Sequence, residues 1–122
     1  MGQFDRPLTV TKKFGAETWV VEREFTFYSS KGHAIKVAEG FETDFASVPW
    51  GFRNFFPKDF DGTQAAVTHD WLYNQRGIHG LTRKECDGLF LEAMEILNVG
   101  WFRRHAMHKA VRSAGWIYWN KK

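Results

Sequence analysis

HDWLYNQRGIHGLTRKECDGLF, His69 to Phe90, reads as the end of one helix, a turn bounded by glycines and the start of a second helix. Gly77 to Gly80 interrupts the helical pattern, and Thr82-Arg83-Lys84-Glu85 reopens it as a capping box. There the Thr82 hydroxyl accepts from the Glu85 backbone N–H while the Glu85 carboxylate reaches back to the Thr82 N–H. Upstream, Ala65, Ala66 and Leu72 are the packing residues of a helix from Thr63 to about Gln75. Downstream, Leu89, Phe90, Ala93, Met94 and Leu97 line the core side of a helix that ends near Leu97. A third helix is predicted from Trp101 to Tyr118, after a break at Gly100.

Ahead of the helices the period changes to two. Thr18 to Tyr28 alternates Trp19, Val21, Arg23, Phe25 and Phe27 against Val20, Glu22, Glu24, Thr26 and Tyr28, as a strand does. Ser29-Ser30-Lys31-Gly32 supplies a turn and His33 to Ala38 a second strand, so residues 18–38 form a predicted β-hairpin with Leu8 to Lys12 as a third strand on its edge. Residues 40–62 are a long connection rich in Phe, with Trp50, Pro49 and Pro57. Its rings either plug the open face of the sheet or form a substrate-binding lip. The expected fold is α+β: a small N-terminal antiparallel sheet, an aromatic loop and three C-terminal helices, in one domain over residues 1–122.

Composition narrows the function classes. With 43% hydrophobic residues, 12 Phe and 6 Trp, the chain can fill a core. A formal charge of +3, from 17 basic and 14 acidic residues, is a small excess beside dedicated nucleic-acid binders. Cys86 is the single cysteine, which excludes an internal disulfide framework and suits a reducing compartment. Gln3, Asp5, Arg6 and Pro7 stand where an export signal would need an apolar run, and no stretch approaches the ~18 apolar residues of a membrane span.

The helical hairpin also concentrates chemistry. His69 lies before the turn and Asp87 after it, each roughly 8–9 Å from it at the helical rise per residue, so an antiparallel pair brings them face to face. Asp87 falls among Phe90, Leu91 and Met94, where an ionised carboxylate is costly unless paired. A carboxylate on one imidazole nitrogen fixes the tautomer and raises the basicity of the other, the arrangement of a general base. Tyr73 shares the His69 face, with its hydroxyl within reach of Asp87. Asp70 points about 100° away toward the 40–62 loop, where with Asp44 or loop carbonyls it could hold a hard divalent cation. A core histidine with an anchored aspartate is the structural alternative. A Ser47, His69, Asp87 triad would be chemically complete. Cys86 adjoins Asp87, which opposes thiolate formation and suits a buried small hydrophobe.

Two resemblances attach to these residues. Gly40 to Pro49 with its TDFASVP, then Ala66 to Tyr73 with HDWLY, then Cys86-Asp87 to Met94, resembles an uncharacterised family of small bacteriophage and prophage proteins over nearly the whole chain. HDWLYNQ followed by KECDGLFLEAM is similar to the helical pair of the phospholipase A2 superfamily, over about residues 63–97. The second resemblance implies His69 as the base activating water, Asp70 as a ligand of calcium rather than zinc, Asp87 as the partner of His69, and Tyr73 as a further hydrogen-bonding group on Asp87. The glycine-rich calcium loop of the secreted enzymes is not visible before His69, and their bracing disulfides cannot form.

The expected function is therefore a metal-assisted ester hydrolase, with a phospholipid as substrate. Trp50, Trp101, Trp116 and Trp119 would meet a lipid surface. The alternative is a non-catalytic phage structural, assembly or host-interaction protein using the helix pair as scaffold. Either would act in the host cytoplasm or in the virion. Nucleic acid is disfavoured as a partner: His105, His108, Arg103, Arg104 and Arg112 carry no recognised motif for it.

Overall fold

The computed structural model describes residues 2–13, 18–43 and 62–120. Among the described residues, two three-stranded antiparallel sheets precede three helices, an α+β architecture. One sheet has the order β1-β4-β5, built from Gln3–Phe4, Phe25–Tyr28 and Ala34–Val37. The other has the order β2-β3-β6, from Val10–Lys12, Trp19–Val21 and Glu42–Thr43.

The single strand predicted over residues 18–28 is thus divided between the two sheets. Val21, Phe25 and Phe27 are all buried, and Arg23 sits between them on the same face of the alternation. Burying a guanidinium there would be costly, and a bend at Glu22–Arg23 turns Glu22, Arg23 and Glu24 outward together. The hairpin half of the expectation survives as β4–β5, with Phe25 opposite Val37 and Phe27 opposite Ile35. Its turn is tied by the Ser29 hydroxyl, which accepts the backbone N–H of Lys31 at 3.3 Å and of His33 at 3.0 Å. The predicted edge strand appears as β2, paired with β3.

The helices are α1 (Thr63–Asn74), α2 (Arg83–Ile96) and α3 (Trp101–Trp119). The capping box closes at both ends: Thr82 Oγ1 accepts the Glu85 N–H at 3.1 Å and Glu85 Oε1 accepts the Thr82 N–H at 2.9 Å. Such a cap stabilises the helix start by about 1 kcal/mol. His79 fastens the intervening turn, its Nδ1 accepting from the Leu81 N–H at 3.0 Å and its Nε2 reaching the Leu72 carbonyl at 2.7 Å. Helix α2 is central, packing on α1 and on α3.

The main core joins Phe27 and Ile35 of the sheet to Leu72, Phe90, Met94 and Val111 of the three helices. A second cluster, Val21, Phe25, Val37 and Val67, links both sheets to α1. Each large side chain buried in this way contributes roughly 1.5–3 kcal/mol. Among the described residues no helix is long and apolar enough to cross a membrane. The expected aromatic loop, with Asp44, Ser47 and Trp50, lies mostly outside the described residues.

Candidate functional site

Helices α1 and α2 bring His69, Tyr73 and Asp87 together. His69 and Tyr73 project from one face of α1, and Asp87 meets them from the first turns of α2. His69 Nε2 lies 2.8 Å from Asp87 Oδ1, and the Tyr73 hydroxyl donates to the same oxygen at 2.5 Å. The imidazole is stacked obliquely between Tyr73, 4.3 Å away between centroids, and Phe90, 4.6 Å away. Its side chain is 0% exposed, as is that of Asp87.

The second oxygen of Asp87 belongs to arginines. Arg112 Nη1, from α3, donates to Oδ2 at 2.8 Å, and Arg83 Nη1 approaches it at 3.5 Å. Arg83 also donates to the carbonyls of Val111 at 3.0 Å and Arg112 at 3.2 Å, so it clamps α3 to α2 at the same point. Burial alone would raise the Asp87 pKa, but hydrogen bonds from His69, Tyr73 and Arg112 outweigh it and hold the carboxyl below its ordinary range. Asp87 is therefore an anion at neutral pH. The same burial, with the carboxylate beside it, pushes the Tyr73 hydroxyl well above its ordinary value, so Tyr73 remains a donor. Cys86 is buried, and its thiol is pushed up to about 12 by burial and by Asp87 and Glu85, which makes it inert as a nucleophile.

Asp70 leaves this cluster. It is buried at the other side of α1, where the Thr43 hydroxyl of β6 donates to its Oδ2 at 2.5 Å. The other expected ligand, Asp44, lies outside the described residues, as does Ser47. Among the described residues no group of three or more His, Cys, Asp and Glu side chains could hold a metal ion.

Arg83, Arg112 and Gly115 are the site residues that sequence reading missed. Arg83 stands four residues before Asp87 and could have been found by helical spacing. In the sequence Arg112 stands with His105, His108, Arg103 and Arg104, the residues weighed for a nucleic-acid partner. Its guanidinium instead neutralises Asp87. Gly115 lets α3 approach the Tyr73 hydroxyl, which no local pattern announces. Of the tryptophans expected at an interface, Trp101 and Trp116 are exposed, whereas Trp119 packs edge-on against Tyr73 at 5.0 Å.

A family model described as protein of unknown function (DUF1353) matches residues 19–111. The chain belongs to this family. The DUF1353 span runs from the start of β3 into α3 and contains His69, Asp70, Tyr73, Arg83 and Asp87, ending one residue before Arg112. Neither the curated proteins nor the solved structures compared with the chain include a match.

Proposed function

We propose that this DUF1353 chain is a small hydrolase of an ester, with a phospholipid as substrate, acting in a bacteriophage or prophage setting, with His69 as general base. The observation that carries the reading is the 2.8 Å contact between His69 Nε2 and Asp87 Oδ1. A carboxylate held anionic at Nε2 keeps the proton on that nitrogen and directs the basic lone pair to Nδ1. In the reaction, which requires the buried ring to be opened to water and substrate, Nδ1 takes a proton from water as its oxygen attacks the ester carbonyl. Asp87 stabilises the imidazolium that forms, and the proton passes to the leaving alkoxide as the tetrahedral adduct collapses. Tyr73, Arg83 and Arg112 keep Asp87 charged and in place. The phage setting rests on the resemblance carried by the TDFASVP, HDWLY and Cys86–Met94 stretches, and the phospholipid on that of HDWLYNQ followed by KECDGLFLEAM.

The expected cation on Asp70 would draw its other ligands from Asp44 or carbonyls of the 40–62 loop, and its part would be to polarise a substrate oxygen. The test is release of fatty acid from vesicles of mixed zwitterionic and anionic phospholipid by wild type and His69→Gln, with and without calcium. Release by wild type that the variant loses supports the reading. Absence of release under both conditions removes it.

A second reading is favoured by one observation, the complete burial of the His69 ring. A sealed imidazole whose aspartate partner is shared among tyrosine and two arginines suits a structural centre that locks three helices. The chain would then be a phage structural, assembly or host-interaction protein. The exposed Trp101, Phe102, Trp116 and Ile117 of α3 would serve as its contact face. In that case His69→Gln lowers stability and no ester is cleaved.

A further inference from the structure

A cleft of about 470 Å³ opens between the first half of α2, the β4–β5 turn and α3, within the size range of small-molecule sites. Lys31 and His33 line it from the turn, Lys84 from α2, and His108 and Arg112 from α3. Two carboxylates also face it, Glu85 and Glu92, each with one oxygen on a backbone amide. Glu92 Oε2 accepts the Ser30 N–H at 2.8 Å, and Glu85 Oε1 is held in the capping box. Arg112 commits Nη1 to Asp87 and, with its side chain 32% exposed, also lines the cleft. Three cationic side chains, Lys31, Lys84 and Arg112, thus face two carboxylates.

The floor has a different character. Gly88, Leu89 and Leu91 form it, and a Cβ built on Gly88 meets nothing within 4 Å. A glycine in a helix interior destabilises it by roughly 0.5–1 kcal/mol relative to alanine, and here no neighbour requires the missing side chain. What the glycine preserves is the depth of the cleft.

We propose that this cleft binds a small amphiphilic oxyanion, a phosphate or carboxylate head on an apolar body. The head is received by Lys31, Lys84 and Arg112, and the body lies over Gly88 between Leu89 and Leu91. Lysine ammonium groups and a partly committed guanidinium suit a compact oxyanion as point charges and as a fork, respectively. The site shares Arg112 with the Asp87 cluster, but its binding does not depend on the ester chemistry proposed for His69.

The test is calorimetric titration of the full chain with hexyl phosphate, hexanoate and inorganic phosphate, each below any micellar concentration. The variants are Gly88→Phe, which fills the cleft, and the double variant Lys31→Ala/Lys84→Ala. Thermal melting confirms that each variant folds. Hexyl phosphate or hexanoate is expected to bind wild type, roughly tenfold more weakly to the lysine variant and not measurably to Gly88→Phe. The tighter of the two identifies the head. The proposal is overturned if neither binds at millimolar concentration, if Gly88→Phe binds as well as wild type, or if inorganic phosphate binds as tightly as hexyl phosphate.

Discussion

Gly115 of α3 stands where any side chain would collide with the hydroxyl of Tyr73: a Cβ at this position would lie 2.6 Å from Oη and 3.2 Å from Arg83 Nη1. The hydroxyl cannot swing aside without giving up its 2.5 Å bond to Asp87. Gly115→Ala is therefore expected to destabilise the fold by about 1–3 kcal/mol, as overpacking does. In a Tyr73→Phe background the obstructing oxygen is absent, and the same substitution should cost about 1 kcal/mol less. Urea unfolding of the four proteins of this cycle measures the coupling, and additive costs would show that the contact is not what holds the two residues together.

Gly88 presents the opposite case. It lies inside α2 with open space around its missing Cβ. Gly88→Ala should raise stability by about 0.5–1 kcal/mol through helix propensity alone. A small upward shift of the melting temperature is the expected result, and a fall would mean that the α2 backbone at this point is held in some other way.

What was legible in the sequence is what local chemistry determines. The helix boundaries and the Thr82–Glu85 capping box follow from residues within a few positions of each other. The meeting of His69 with Asp87 follows from their similar distances from one turn. The division of the 18–28 strand depended on whether Arg23 could be buried, which alternation alone does not answer. Strands β1 and β6 are two residues each and too short to show a period. Arg112 is 25 residues from Asp87, on a helix whose core face is marked mainly by Met107, Val111 and Gly115. With charged and aromatic residues all around that helix, its orientation could not be deduced before its neighbours were known.

Asp87 should govern the acid limb of stability. Its folded-state pKa is depressed, so its contribution is fully present above the unfolded carboxylate value of about 3.9 and is lost as pH falls through the lower folded value. Asp87→Asn removes a buried anion from beside Arg83 and Arg112, which is expected to cost about 3 kcal/mol at neutral pH, with the partial exposure of Arg112 limiting the loss. The difference in unfolding free energy between wild type and variant should shrink as pH is lowered below about 4. A difference that stays constant from pH 6 to pH 2 would contradict the role assigned to this carboxylate.

Asp70 separates the metal question from the rest. In Asp70→Asn the amide oxygen can still accept from the Thr43 hydroxyl, so the β6–α1 contact is preserved while the charge is lost. If Asp70 holds calcium together with groups of the 40–62 loop, the ion binds wild type and binds the variant at least tenfold more weakly, since a hard cation depends on carboxylate charge. Isothermal titration measures it. Equal binding by the two proteins would place any cation elsewhere, and no binding by either would give Asp70 a structural role, its bond to Thr43 included.

His69 is the residue on which catalysis and architecture give different outcomes. A positioned general base contributes about 10²–10⁴ in rate, so His69→Gln should reduce ester hydrolysis by at least ~10²-fold if Nδ1 takes the proton from water. Loss of folding is a competing cause, because the ring is wedged between Tyr73 and Phe90 and bonded to Asp87. Tyr73→Phe resolves the two. It removes one donor from Asp87 and is expected to cost about 1–2 kcal/mol in stability. It leaves both the imidazole and the His69–Asp87 bond in place. Activity that survives in Tyr73→Phe and vanishes in His69→Gln, at comparable unfolding free energies, identifies His69 as the base. Activity that follows stability in both variants would make the imidazole a structural element of the helix hairpin, and the chain would then function through its surface.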